Sequence, residues 1–299
     1  MIRAPYLVPG NKIGIVSTAS KIDKSVVEPA VELLQSIGYR VEIGKYVFAQ
    51  SNQFAGTDKQ RSSDLQAMLD NPEIKAVVCS RGGYGTLRTI QPISWDRFCQ
   101  SPKWIVGFSD VTVLHARINQ LGISAIHGVM PRYFLDENQP TKSFSTLMDA
   151  LTGKPLSYAI EPSKYNRQGT AEGELVGGNL SMLYSLRGTP YDIDTNKKIL
   201  FIEDLSEYLY HLDRMLINLK TSGKLAQLAG LIVGGFTGMK DNETPYGKSV
   251  EEIIISAVAE YDFPVAFNFP AGHQSDNYAL KLGSNAQLDV TPTIVTLKQ

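Results

Sequence analysis

Three short turns in the chain carry residue types that can do chemistry, and each follows an apolar segment. They lie at residues 81–85 (RGGYG), 107–110 (GFSD) and 272–277 (GHQSDN). Together they offer a serine, a histidine and backbone N–H groups freed by glycine. Because these are the parts of an acyl-transfer site, the sequence points first to nucleophilic catalysis.

The glycine-rich turn at 81–85 directly follows a predicted buried strand at 75–79. Glycine at the carboxyl end of a parallel strand allows unusual backbone angles and the close approach of a ligand. The turn matches neither the dinucleotide motif GxGxxG nor the GK[ST] of a P-loop. Two interpretations stay open: a tight connection from strand to helix, or a loop whose N–H groups stabilise an anion.

Ser109 is the candidate nucleophile. A predicted strand at 104–108 ends there and a predicted helix at 111–121 begins, and a helix N-terminus favours a developing oxyanion. This is the logic of the nucleophile elbow, although Val111 replaces the second glycine of GxSxG. The alternative is that Ser109 or Asp110 only caps the helix.

His273 follows a predicted strand at 265–269 and is placed like a general base. The other three histidines are weaker candidates. His115 and His211 lie within predicted helices, and His127 follows a short strand, where a hydrogen-bonded structural role is expected.

A Ser–His pair needs a carboxylate that orients the imidazole. Glu203 and Asp204 are predicted to end the buried strand at 198–202, where a carboxylate has to be hydrogen-bonded or paired. Leucines at steps of four, three, four and three residues predict a helix from Leu205, which Asp204 would cap and whose first turn would contain Glu207. Glu203 is then the better candidate.

Alternating strands and helices predict an α/β protein with two lobes. We expect an N-terminal doubly wound domain at 1–150, a linker at 151–170 and a smaller C-terminal β/α domain at 171–299, with the active site in the cleft between the two domains. The tail at 279–297 is predicted to form antiparallel strands. The remaining predicted elements are strands at 12–16, 40–43, 172–176 and 228–233, and helices at 26–37, 57–69, from 179, and 250–258.

Composition excludes several classes of protein. The 299 residues carry 29 Lys plus Arg and 30 Asp plus Glu, which argues against a nucleic-acid binder or a polybasic membrane contact. No apolar run approaches the ~18 residues of a membrane span, and we see no signal peptide. Cys79 and Cys99 sit in no metal-binding cluster, so we expect a reduced, cytoplasmic protein without a metal site.

Taken in order, RGGYG, GFSD, IEDLSEYLYHLDRML and AGHQSDN resemble the serine LD-carboxypeptidases. These cytoplasmic enzymes process muropeptides, and the same family includes the peptidases of microcin C self-immunity. The resemblance runs over nearly the whole chain. It implies an N-terminal domain like that of the class I glutamine amidotransferases, a C-terminal swivelling domain, and a homodimer.

The resemblance also implies roles for particular residues. Ser109, Glu203 and His273 would form a catalytic triad. The oxyanion would be held by backbone N–H groups of Gly83 and Asp110, with Gly82 as an alternative donor. Gly82 and Tyr84 are assigned to substrate binding.

The implied reaction is hydrolysis of the amide between an L-configured diamino acid centre and the terminal D-alanine of a murein tetrapeptide, with no cofactor. A microcin-type immunity hydrolase and a non-catalytic binder of small anions are the alternatives. The chain departs from the family pattern at Gln274, where a glycine is usual, and at Lys281, which replaces the proline of LPLG.

Overall fold

The computed structural model describes residues 1–299, the whole chain. The fifteen β-strands, numbered in chain order, are β1 (Lys12–Val16), β2 (Arg40–Ile43), β3 (Ile74–Cys79), β4 (Trp104–Gly107), β5 (Ala125–His127), β6 (Leu135–Asp136), β7 (Gln139–Pro140), β8 (Ser157–Ile160), β9 (Gly169–Asn179), β10 (Ile199–Leu205), β11 (Gly230–Thr237), β12 (Val265–Ala266), β13 (Leu280–Leu282), β14 (Asn285–Val290) and β15 (Val295–Lys298).

The nine α-helices are α1 (Lys24–Ser36), α2 (Asp58–Asp70), α3 (Thr86–Thr89), α4 (Asp96–Gln100), α5 (Thr112–Gln120), α6 (Lys142–Thr152), α7 (Leu180–Ser185), α8 (Leu209–Thr221) and α9 (Val250–Ala257). None of them is long and apolar enough to cross a membrane. Helix α2 shows why the local predictions succeed. The Thr57 side chain accepts from the N–H of Gln60, whose own side chain accepts from the N–H of Thr57, a capping box that fixes the helix start.

The chain divides into two compact units. The first consists of Met1–Lys154 and Tyr278–Lys281 and contains a six-stranded sheet in the order β13-β5-β4-β3-β1-β2. Strands β1 to β5 pair in parallel with one another, and β3 and β4 are buried almost throughout. The strand order reverses between β1 and β3, and such a switch point is where doubly wound sheets bind ligands.

The second unit consists of Pro155–Asn277 and Leu282–Gln299, and its seven strands lie in the order β12-β11-β10-β9-β14-β15-β8. Strands β9 to β12 run parallel, whereas β9, β14, β15 and β8 pair antiparallel. Strand β9 joins the two halves, since its first part pairs with β14 and its last part with β10. The predicted two-domain α/β fold class is therefore confirmed.

The domain limits predicted at 1–150, 151–170 and 171–299 stay a prediction, but the structure adds two features to them. Strand β8 lies within the predicted linker. In addition, β13 is part of the first unit's sheet, so the predicted tail of antiparallel strands begins only at β14. A short strand that pairs with a distant partner has no local signal for its sheet.

The Leu-rich helix begins later than predicted, at Leu209 and not at Leu205. Leu205 belongs to β10, where it pairs with Thr237, and the N–H of Ser206 donates to the Thr237 carbonyl. Ser206 then turns the chain with a φ of 61°. The leucine spacing therefore includes Leu205, which pairing with β11 places at the end of a strand and not in the helix.

Candidate active site

Ser109 lies at the carboxyl end of β4, at the start of a short 3₁₀ turn, Ser109–Val111, that leads into α5. Its φ is 65°, in the left-handed region that serine rarely adopts. Such strained backbone persists only where the surroundings enforce it, and it concentrates at functional sites. The prediction that this turn resembles a nucleophile elbow agrees with that geometry.

The alternative role for this segment, a simple helix cap, is wrong. Neither the 3₁₀ turn nor α5 has a side-chain hydrogen bond at its N-cap, and those N-caps are Phe108 and Val111. The buried Asp110 carboxylate accepts instead from the N–H of Thr86, at 2.7 Å. Burial raises the pKa of Asp110, and its hydrogen bonds to Thr86 and Gly85 oppose this rise.

The glycine-rich turn follows β3 at the switch point of the sheet and lies against Ser109. A Cβ on Gly82 would stand 2.9 Å from the Ser109 Cβ and 3.0 Å from its Oγ. Gly83 has a φ of 109°, and a Cβ there would collide with the Ser20 hydroxyl. Both positions therefore require glycine, one for close approach and the other for backbone angle as well.

Tyr84 projects from the same turn and is 51% exposed. Its ring centroid lies 6.0 Å from that of Phe54 in a tilted arrangement. A half-exposed aromatic ring in this turn can contact an apolar part of a ligand.

Glu203 and His273 are hydrogen-bonded to each other in the second unit. The Oε2 of Glu203 lies 2.6 Å from the His273 Nδ1 and also accepts from the His273 backbone N–H at 3.1 Å. The glutamate is fully buried, and its other oxygen, Oε1, has no hydrogen-bond partner. With the Nδ1 proton held by the carboxylate, Nε2 is the basic nitrogen of the ring.

The electrostatics of this pair suit a base. Burial lowers the pKa of His273, but the hydrogen bond and charge of Glu203, with a contribution from Asp204, outweigh burial and raise the pKa above its ordinary value. The imidazolium form is thus stabilised, as a group that must accept a proton requires.

Gly272 makes the contact between Glu203 and His273 possible. Its φ is 103°, and a Cβ on this residue would lie 2.6 Å from the Glu203 Cβ and 2.7 Å from Oε2. Only a residue without a side chain lets the loop come this close to β10.

Asp204 is predicted to cap the Leu-rich helix, and this prediction is wrong. The N-cap of α8 is Tyr208, and Asp204 is a buried residue of β10. Its carboxylate accepts from the Asn179 side-chain amide and from both the N–H and the hydroxyl of Ser181, each at 2.9 Å. Burial raises the pKa of Asp204 to about 6, and the neighbouring Glu203 charge adds to this.

Glu207 also lies outside the helix, contrary to its predicted place in the first turn. It accepts from the Ser181 hydroxyl at 2.9 Å and pairs with the His211 Nδ1 at 2.6 Å. Sequence reasoning missed Ser181 and Asn179 as partners of this acidic segment. The available signal was the helix start predicted at Asn179, which does end β9 and cap α7.

The remaining histidines are placed as predicted. His211 lies in α8 and His115 in α5, where burial lowers the pKa of His115 to about 3. His127 is buried at the end of β5, with its ring centroid 5.9 Å from that of Phe108. No group of three or more His, Cys, Asp or Glu residues is arranged to hold a metal ion.

Each unit thus brings together part of the predicted site: Ser109, Gly82, Gly83, Tyr84 and Asp110 in the first, and Glu203 with His273 in the second. Two family models match the chain: the LD-carboxypeptidase N-terminal domain over residues 13–128 and the LD-carboxypeptidase C-terminal domain over residues 172–288.

Individual proteins and solved structures are similar to this chain over most of its length. A probable murein peptide carboxypeptidase of Bacillus subtilis (strain 168) is 36% identical over 94% of this chain and 89% of its own. The crystal structure of muramoyltetrapeptide carboxypeptidase from Oxalobacter formigenes is 30% identical with a TM-score of 0.87, over 96% of this chain and 98% of that one. The wild-type apo structure of the microcin C7 self-immunity protein MccF has a TM-score of 0.88 over 100% of this chain and 99% of that one, but at 20% identity this shows the fold alone.

Proposed function

Because the chain belongs to the LD-carboxypeptidase family and is thereby a peptidase, we propose that it is a serine LD-carboxypeptidase acting on murein tetrapeptides. It cleaves the amide between an L-configured diamino acid centre and the terminal D-alanine. The observation that carries the proposal is the buried Glu203 carboxylate on the Nδ1 of His273, with the raised pKa of that imidazole. The strained backbone of Ser109 also supports the proposal, because such strain is typical of a residue at a functional site.

In the proposed reaction, the Ser109 hydroxyl attacks the carbonyl carbon of the diamino acid centre. The Nε2 of His273 accepts the serine proton and then donates it to the nitrogen of the leaving D-alanine. Glu203 keeps the imidazole in the required tautomer and stabilises the imidazolium. Water then attacks the acyl-enzyme and gives a proton to the Nε2 of His273, which donates it to the Ser109 oxygen as the ester bond breaks and the tripeptide acid leaves.

The developing oxyanion is held by backbone N–H groups of Gly83 and Asp110. Loss of one such donor lowers the rate of an acyl-transfer enzyme by ~10²–10³. Gly82 supports this arrangement because it lets the turn lie against Ser109. We assign Gly82, which lies against Ser109, and the half-exposed Tyr84 of the same glycine turn to substrate binding.

The decisive experiment incubates the purified protein with a murein tetrapeptide and follows the peptide by mass spectrometry. Loss of one alanine is the expected result. A matched tetrapeptide ending in L-alanine is the control, and it should stay intact if the enzyme reads the configuration of the leaving residue. The Ser109→Ala variant should release nothing from either peptide.

The same assay separates the other classes of function. Cleavage of aspartyl sulfamoyl adenosine in place of the tetrapeptide would assign the chain to the immunity hydrolases. Binding of a small peptide without turnover by the wild-type protein would indicate a binding module. We further propose, from the family resemblance, that the protein is cytoplasmic and a homodimer. Light scattering after size exclusion tests the dimer, and cell fractionation tests the location.

A further inference from the structure

The side chain of Asp110 has no part in the proposed chemistry, since only its backbone N–H is assigned to the oxyanion. Yet the carboxylate is buried, with the residue 2% exposed. Burying a carboxylate is costly unless hydrogen bonds compensate for the lost water. Its partners are therefore informative.

All of these partners belong to the glycine-rich turn or to its end. The N–H of Thr86 donates to the Asp110 Oδ2 at 2.7 Å, and the Thr86 hydroxyl and the Gly85 N–H help to lower the pKa of the same carboxylate against the effect of burial. Thr86 is itself held in place, because its Oγ1 lies 2.9 Å from the Thr18 Oγ1. The Thr18 carbonyl in turn accepts from the Thr89 hydroxyl at 2.8 Å, and all three threonines are fully buried.

Both ends of the glycine turn are thus held against the turn that contains Ser109. Gly82, at one end of the glycine turn, lies against Ser109, and Thr86, directly after the other end, donates a hydrogen bond to Asp110, the residue that follows Ser109. Regular structure provides little restraint here, because α3 has only four residues and Gly83 and Gly85 have positive φ angles.

We propose that the Asp110 carboxylate is a positioning group that locks the glycine turn to the nucleophile turn, so that the N–H groups of Gly83 and Asp110 stay at a fixed separation around the reacting carbonyl. The inference rests on the proposed function, because it assigns a purpose to the geometry of the oxyanion site. The bonds themselves do not depend on which substrate is cleaved.

The test compares Asp110→Asn with Asp64→Asn. Asp64 is a matched control, because it is also a buried aspartate of the first unit whose Oδ2 accepts a backbone N–H, here from Tyr46 at 2.7 Å. It does not bond the glycine turn. The measurements are kcat and KM for the tetrapeptide, and hydrogen exchange of the backbone amides at 82–86.

In Asp110→Asn an NH₂ group replaces one carboxylate oxygen, and the charge that binds the Thr86 N–H is lost. We therefore expect kcat to fall ~10²-fold, the cost of a misplaced reacting group, while KM changes less than ~3-fold. The amide of Thr86 should lose protection from exchange. Asp64→Asn should lose protection at the amide of Tyr46 and keep its kcat. An Asp110→Asn protein with wild-type kcat and wild-type protection would overturn the inference, and so would equal losses of kcat in both variants.

Two further measurements keep the outcome clear. If wild-type protein does not cleave the tetrapeptide, the proposed function fails. The positioning role of Asp110 is then tested without that substrate, by hydrogen exchange and by the rate at which a fluorophosphonate labels Ser109 in the wild-type and variant proteins. If Asp110→Asn does not fold, Thr86→Val replaces it, since it keeps the N–H that Asp110 accepts and removes only the hydroxyl bond to Thr18 that holds Thr86 in place. A fall of about 10-fold in kcat supports the positioning role, and an unchanged kcat contradicts it.

Discussion

At the scale of single residues, Ser109 holds a backbone conformation that costs an L-residue about 1–2 kcal/mol. We predict that Ser109→Ala and Ser109→Gly both fold and both lose turnover. Glycine adopts a φ of 65° without strain, but it also gains entropy in the unfolded chain, so Ser109→Gly should exceed Ser109→Ala in stability by up to about 1 kcal/mol.

Urea unfolding and tetrapeptide turnover of the two variants test this prediction. A folded Ser109→Ala protein with near-wild-type turnover would eliminate the covalent mechanism. A glycine variant less stable than the alanine variant would show that the serine turn is not strained.

The three carboxylates of the acidic segment should behave differently. Glu203→Gln removes the charge that supports the imidazolium and keeps the shape, so turnover should fall by ~10³–10⁴. Asp204→Asn should cost about 1–3 kcal/mol of stability, because the buried NH₂ that replaces one oxygen would face the donor of either Asn179 or Ser181. The partly exposed Glu207→Gln should cost less than ~1 kcal/mol and keep most turnover.

Turnover and melting temperature of these variants distinguish the roles. The structure changes the expectation for Asp204, since a residue that only capped a helix would tolerate asparagine. If Glu207→Gln were inactive and Glu203→Gln active, the third member of the triad would be misassigned.

The pH dependence follows from the raised pKa of His273. A general base must be unprotonated, so kcat/KM should be lost as pH falls through that pKa, which lies above the ordinary histidine value of about 6.5. Glu203→Gln removes the main raising influence, so the acidic limb of its residual activity should move to lower pH. A limb that stays in place would argue that another group titrates.

At the scale of elements, the glycine turn is held to Ser109 by the absence of a side chain at residue 82. Gly82→Ala would place a Cβ 2.9 Å from that of Ser109, so turnover should fall by ~10²-fold or more with the fold retained. Gly14→Ala is the control, because its Cβ would meet the Met68 Sδ at 2.7 Å, away from the site. It should lower the melting temperature and leave kcat unchanged, and equal losses of kcat in both would contradict the prediction.

At the scale of the whole molecule, the first unit is completed by a segment from far along the chain. Strand β13 lies beside β5, although residues 155–277 intervene between α6 and its segment. We predict that residues 1–154 expressed alone aggregate or unfold at lower urea than the full chain, because the buried β5 becomes an edge strand. Adding a synthetic peptide of residues 277–284 should restore part of the stability, and a fully stable fragment would argue against this role of β13.

The sequence by itself determined the local elements and the residue types of the site. Apolar runs predicted β1 and β2 with their observed limits, and the strand-end positions of Ser109, Glu203 and His273 selected them from many polar residues. These inferences succeed because hydrophobic periodicity, turn residues and helix caps act over a few neighbours.

Only the tertiary structure decided contacts between distant segments. It moved the start of α8 past Leu205, placed β13 in the first sheet, and gave Asp204 and Asp110 partners that are 23 to 25 and 24 residues away in the chain. Pairing between strands and the burial of a carboxylate depend on which segments meet in space, and no local pattern of residues encodes that meeting.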